Sequence, residues 1–272
     1  MLSEAREILR KYGLKPRKYL GQNFLINKEI LGEIIRAADL SKDDIALEIG
    51  SGLGILTREL AQKTKKVIAV EKDRELVKIL KKELAHFKNV KIIEGDILKL
   101  ATKDLKLKTD YKIVANLPYY ITSPVIRKFL EEGSQSELMV LMVQKEIAER
   151  ICAKPPEMTL LSVAVQFYSQ PKIVKIVKKE SFWPVPKVDS AIIKLKTYNR
   201  QPTTIDTDLF FKIVKVGFSQ SRKQLKNNLK NLFGRDVEQI LNQSNIKGFQ
   251  RAETLSIDDW LKICLNYKNR LK

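Results

Sequence analysis

Asn116, Leu117, Pro118, Tyr119 and Tyr120 stand in a row after an apolar run, 111–115, that has the length of a buried strand. These residue types suit an exocyclic aromatic amine. Such a nitrogen is a poor nucleophile, because its lone pair is delocalised into the ring. The Asn116 side-chain oxygen and the Leu117 carbonyl can each accept one amine hydrogen. That draws the nitrogen toward tetrahedral geometry and frees the lone pair for in-line attack on a methylsulfonium. Pro118 fixes the backbone so that the carbonyl points inward, and Tyr119 offers a ring face for stacking. The work is positioning and electrostatics, so neither a metal nor a covalent nucleophile is required. The competing reading is a Pro-Tyr turn packed on the core.

A second set of residues falls on neighbouring strand ends. "LEIGSGLGILT" puts Gly50, Gly52 and Gly54 between a strand and a helix, where glycine permits positive φ and close backbone approach. A glycine-rich loop at a helix N-terminus is a common cradle for nucleotide-like ligands. Glu71, 21 residues after Gly50, ends the next strand, placed to accept hydrogen bonds from ribose hydroxyls. Asp96 ends the third, suited to an adenine amino group, with Ile97 beside the ring. NAD is the natural competitor. The glycine spacing is G-x-G-x-G, however, and Ile55 occupies the third dinucleotide position. A compact loop of this kind suits a ligand without a pyrophosphate, such as S-adenosyl-L-methionine.

A base must leave its stack to reach such a corner. In "FWPVPKVDS", 182–190, Phe182 can wall the pocket opposite Tyr119, and Pro184 and Pro186 stiffen the loop; a proline-bent edge strand is the alternative. His86, the only histidine, ends a helix as a solvated residue. This excludes Ser-His-Asp hydrolysis and His-based metal sites, and no metal is expected.

The elements that must position these groups follow from periodicity. "IALEIG", "KVIAVE", "VKIIEGD", "YKIVAN" and "ELMVLMVQ" read as buried strands, separated by helical patterns. The alternation argues for an α/β, Rossmann-like fold: a mainly parallel sheet covered on both faces, with ligands at the strand C-termini. "PKIVKIV" and "SAIIKLK" suggest an antiparallel edge. The expected division is 1–200, a Rossmann-like domain with an N-terminal helical extension, and 201–272, a small basic all-α domain. A polar linker, 197–206, joins them.

The chain has 272 residues, 44% of them hydrophobic and 31% charged, with 51 Lys and Arg against 32 Asp and Glu, a net charge of +19. That excess draws polyanions, nucleic acid before an anionic membrane surface. No apolar run approaches the ~20 residues that span a bilayer. The first residues form a charged amphipathic pattern without a signal-type apolar stretch. Cys152 and Cys264 lack metal-type spacing and read as reduced thiols. Together these predict a cytoplasmic protein.

"GQNFL" (21–25), "EIGSGLG" (48–54), "NLPYYITSPVI" (116–126), "MVQKEIAERI" (142–151) and "FWPVPKVDSAI" (182–192) together resemble the ribosomal RNA adenine dimethyltransferases, and among them the bacterial small-subunit type. The resemblance spans essentially the whole chain. It implies N6,N6-dimethylation of two adjacent adenosines in a hairpin near the 3′ end of small-subunit (16S) rRNA, S-adenosyl-L-methionine as cofactor, and a monomer acting on the immature small ribosomal subunit. It also implies that Asn23, Leu25, Gly50, Gly52, Glu71, Asp96, Ile97 and Asn116 border the cofactor. Asn116, Leu117, Pro118, Tyr119 and Phe182 would frame the target adenine. Arg17, Lys18, Arg222, Lys223, Lys226 and Lys230 are the candidate phosphate contacts. Ser221 stands where the family usually has a first arginine, and Met158-Thr159 where it often has Tyr-Gly. The alternatives are a large-subunit (23S) enzyme of the antibiotic-resistance type and a non-catalytic assembly factor. A DNA adenine methyltransferase usually places Asp or Asn before two prolines at this corner.

Overall fold

The structure, a computed structural model, describes residues 1–105, 107, 110–131, 136–198 and 205–271. Most of the linker 197–206, and the side chain of Lys18, lie outside the described part. The chain forms two compact units. One comprises Met1–Ala148 and Gln170–Thr197, the other Glu149–Ser169 and Tyr198–Lys272. The segment 149–169 thus joins the C-terminal helices rather than the sheet unit that flanks it in sequence.

In the first unit, the helix α1 (Leu2–Lys11) precedes the short strand β1 (Phe24–Leu25) and α2 (Lys28–Ala38). Then β2 (Ile45–Ile49), α3 (Ile55–Lys63), β3 (Lys66–Glu71), α4 (Arg74–Glu83), β4 (Val90–Glu94), β5 (Tyr111–Asn116), α5 (Thr122–Glu131) and β6 (Leu138–Gln144) follow, and α6 (Lys145–Ile151) begins in this unit and ends in the other. The strands β7 (Ser169–Val177), β8 (Phe182–Trp183) and β9 (Ser190–Thr197) complete the β-structure. The main sheet runs β4-β3-β2-β5-β6-β9-β7. Its first five members are parallel, and β9 joins β6 antiparallel. One pleat face, with Ala46, Val67, Val114, Val140 and Ile192, packs into a core with Leu31, Ile34 and Ala38 of α2 and Leu60 of α3. Leu47, Ile68, Ile113 and Met139 on the other pleat are equally buried, as a sheet covered on both faces requires.

The order of β2 to β5 places the site. The chain lays down β2, β3 and β4 in one direction, then crosses back to set β5 on the other side of β2. The C-terminal ends of β2 and β5 therefore flank the switch point, where open parallel sheets bind ligands.

The second unit contains α7 (Leu160–Tyr168), α8 (Thr207–Gly217), α9 (Leu225–Phe233), α10 (Val237–Gln243) and α11 (Ile257–Arg270). Met158-Thr159 has a local purpose. Thr159 caps α7 by a reciprocal capping box with Ser162, and the Met158 N–H donates to the Glu253 carbonyl. Among the described residues no helix is long and apolar enough to cross a membrane.

Candidate active site

A single crevice in the first unit gathers the ends of β2, β3, β4 and β5 with residues 20–25 and Phe182. Asn23, Leu25, Gly50, Gly52, Glu71, Asp96, Ile97, Asn116, Leu117, Pro118, Tyr119 and Phe182 all line it.

The glycine loop is tight by construction. Gly52 has φ 57°, and a Cβ there would lie 3.4 Å from the Phe24 ring. A side chain would thus be strained by conformation and crowded by β1. Gly50 approaches the corner from the other side, since a Cβ would sit 3.5 Å from Pro118 Cδ. The loop is held by Glu71, whose Oε2 accepts the Gly52 N–H at 2.9 Å and whose Oε1 accepts the Asp73 N–H at 2.8 Å. Burial raises the Glu71 pKa, against the pull of those amides. The carboxylate keeps acceptor capacity beyond what it spends on backbone amides.

Asp96 is less simply placed than its spacing suggested. Its Oδ1 accepts the Leu98 N–H at 3.0 Å, and its Oδ2 takes the Lys72 ammonium at 3.0 Å. Desolvation pushes its pKa up, but Lys72 and the Leu98 amide outweigh this and hold the carboxyl below its ordinary value.

At the corner, Asn116 Nδ2 donates to the Asn23 carbonyl at 3.2 Å. That bond fixes the amide orientation, because a flipped amide would set oxygen against oxygen. The Oδ1 acceptor is then the polar atom left for the crevice. The turn Tyr119–Ile121 splays the two tyrosines. Tyr119 is half-buried, with its hydroxyl 2.8 Å from Ser190 Oγ, and burial raises its pKa. Tyr120 is 56% exposed. Phe182 is only 1% exposed and packs with Leu25, Leu31 and Ile34. It therefore supplies a packed wall rather than an open stacking face.

Phe182 and Leu25 meet because β1 and β8 pair antiparallel, Leu25 against Phe182 and Phe24 against Trp183. Two residues per strand, separated by more than 150 positions, leave no periodic signal. Glu48 is a residue that sequence reasoning passed over. It lies within β2, lines the crevice and is 1% exposed. Burial drives its pKa up to about 8, against a bond from Thr57 Oγ1. The available signal was an acid inside an otherwise apolar buried strand.

The basic candidates divide. Arg17 pairs with Asp73 at 2.9 Å rather than standing open. Asp73 also accepts from Gln22 Nε2 at 2.9 Å and caps α4 through the Glu75 N–H. In the second unit Arg222, Lys223 and Lys230 are exposed, while Lys226 reaches Glu238 at 3.7 Å. Among the described residues no group of three His, Cys, Asp or Glu could hold a metal ion.

A glycine loop, acidic residues on two strand ends and an amide–proline–aromatic corner, set at the switch point of this sheet, define a methyltransferase of the Rossmann-like class. Residues 13–269 match the family model described as ribosomal RNA adenine dimethylase, and the chain belongs to that family. It is 42% identical, over 98% of its length and 94% of the relative's, to the ribosomal RNA small subunit methyltransferase A of Dehalococcoides mccartyi. Among solved structures it is similar to a dimethyladenosine transferase from Plasmodium falciparum, with 30% identity and a TM-score of 0.79 over 91% of this chain and 98% of that one. It is also similar to the 23S rRNA methyltransferase ErmE, with 26% identity and a TM-score of 0.75 over 90% of this chain and 100% of the other.

Proposed function

We propose that the enzyme uses S-adenosyl-L-methionine to dimethylate N6 of two adjacent adenosines in a hairpin near the 3′ end of small-subunit rRNA, acting on the immature small ribosomal subunit. The observation that carries the reading is the Asn116 amide, its donor tied to the Asn23 carbonyl and its acceptor left for the crevice. A corner that offers acceptors, with the crevice's Lys72 already spent on Asp96, suits a neutral planar amine better than a phosphate.

The residues present fit the cofactor. Glu71 is an acceptor for a ribose diol, Asp96 an acceptor for an adenine amine, and Ile97 an apolar wall for a ring. Asn23, Leu25, Gly50 and Gly52 supply close backbone and the remaining wall. When bound, S-adenosyl-L-methionine supplies a methyl group on a sulfonium. The chain's own task is to present the acceptor nitrogen. Asn116 Oδ1 and the Leu117 carbonyl take the two N–H bonds, Pro118 holds that carbonyl in place, and Tyr119 stacks on the base with Phe182 as the rear wall. As the nitrogen attacks it gains positive charge, which two aimed carbonyl dipoles stabilise. Once the methyl group has bonded to the nitrogen and its bond to sulfur has broken, the nitrogen gives up one proton to solvent. One N–H then remains, so one acceptor loses its partner and the pocket must admit a methyl group.

Small-subunit choice is supported by the relatives, 41–43% identical over nearly the whole chain, that carry that name. The fold alone does not separate the two ribosomal substrates, since it is common to ErmE. Mass spectrometry of rRNA from cells with and without the protein tests the proposal. The expected result is loss of two dimethyladenosines from small-subunit rRNA. A change confined to large-subunit rRNA would overturn it.

A further inference from the structure

Two tyrosines in succession end the corner, and methyl transfer as proposed uses only the first. Tyr120 lines the mouth of the same crevice with its ring 56% exposed. A solvated aromatic ring is ordinary on a surface when it is loosely held, but this one is backed. Gly21, at φ 63°, lies against it, so that a Cβ there would be 3.7 Å from ring atoms Cδ1 and Cε1. The Gly21 carbonyl is itself held by Asn23 Nδ2 at 3.3 Å, the residue whose own carbonyl holds Asn116. The ring is thus propped by the same segment that orients the catalytic amide. Two positions before Gly21, Tyr19 is 78% exposed on the turn that leads into the crevice wall.

Exposed aromatic faces at the rim of a cleft that accepts a base are the usual platforms for single-stranded nucleic acid. A base drawn into the pocket leaves its neighbour unstacked, and that neighbour needs a new partner. We infer that Tyr120 is a substrate-positioning residue: its outer face stacks the nucleotide adjacent to the adenosine held at Asn116. The inference rests on the proposed function and deepens it, since for two adjacent target adenosines the stacked neighbour is the other target. While one occupies the corner, the other waits on Tyr120.

The experiment uses the full-length enzyme, undermethylated small ribosomal subunits and the variants Tyr120→Ala, Tyr120→Leu and Tyr120→Phe. A stacking role predicts a KM for the particle raised roughly tenfold in Tyr120→Ala and Tyr120→Leu, the size of effect that loss of one base–aromatic stack produces. Tyr120→Phe should restore the wild-type value, and the affinity for S-adenosyl-L-methionine should hold in all three. A parallel arm needs no turnover. An RNA hairpin with 2-aminopurine in place of one adenosine of the pair should be quenched on binding by wild type and Tyr120→Phe, and not by Tyr120→Ala. A KM within twofold of wild type in Tyr120→Ala, an apolar but non-aromatic Leu that restores binding, or weakened cofactor affinity would each overturn the inference. Absence of turnover by the wild-type enzyme would instead count against the proposed function, leaving the fluorescence arm to decide the stacking.

Discussion

Asn116 spends its donor on the pocket wall and keeps its acceptor for the crevice. Replacing it by Ala should lower kcat by at least roughly 100-fold, within the range for loss of an aimed electrostatic group. Binding of RNA should stay within a few-fold, since on the proposed function the residue acts on the nitrogen rather than on the phosphates. Rapid-quench methylation with separate binding assays checks this, and undiminished transfer would refute the role. Glu48 makes a different prediction. Its carboxyl is protonated in the fold up to a pKa of about 8, against an ordinary 4.5. The native state therefore binds more protons than the unfolded chain between those values, and the group's contribution to stability falls as pH rises through that window. Thermal melts of wild type should decline from about pH 5 to about pH 8, and those of Glu48→Gln should be flatter; parallel curves would sink the assignment. At this scale the sequence displayed the corner and the acidic strand ends openly, because residue type alone limits their chemistry. It showed Glu48 only as an acid inside an apolar strand, because the burial that shifts its pKa is set by neighbours far along the chain. It hid the engagement of Asp96 by Lys72 for the same reason.

Among the elements, the parallel strands and their helices were legible because each carries its own period. The two-residue ribbon of β1 and β8 was not, though it brings Leu25 and Phe182 into one wall. Its partners are defined by each other and by nothing local. Helix packing is similarly a matter of pairs. Gly217, at the end of α8, lies so close to Trp260 of α11 that a Cβ would stand 2.3 Å from the indole Cη2. Trp260 is fully buried and has no room to yield. Gly217→Ala should therefore destabilise the helical unit by about 1–3 kcal/mol, the usual cost of overpacking. In α2, Gly32 faces only the end of the Arg36 side chain, at 3.4 Å. Gly32→Ala should stabilise the protein by about 0.5–1 kcal/mol through helix propensity. Denaturant unfolding of the two variants, with opposite signs expected, is the check. Equal destabilisation would mean that the glycines answer to something other than local space.

At the level of the whole molecule, a charge of +19 predicts binding to RNA that weakens steeply with salt. Neutralising Arg222 and Lys223 together should reduce the slope of log K against log salt by about two, one for each phosphate left without its cation. An unchanged slope would remove both from the interface. Net charge is readable from composition, but the cations available to a polyanion are fewer than those counted, and Arg17 shows why. Its guanidinium is engaged by Asp73. That carboxylate also caps α4 and holds Gln22, so one acid ties Arg17 and Gln22, just before the crevice wall at Asn23, to the start of α4. The consequence concerns traffic. On the proposed function, that tie bears on how quickly spent cofactor leaves and fresh cofactor enters. Asp73→Asn keeps the shape of the cap while loosening the anchor. It should speed both association and dissociation of S-adenosyl-L-methionine in stopped-flow measurements, with the ratio of the two rates much less altered. A slower exchange, or a change in one rate alone, would mean that the wall is held elsewhere. A dimethylating enzyme must reload for each of its transfers, so an effect of Asp73 on residence time would be felt at every turnover.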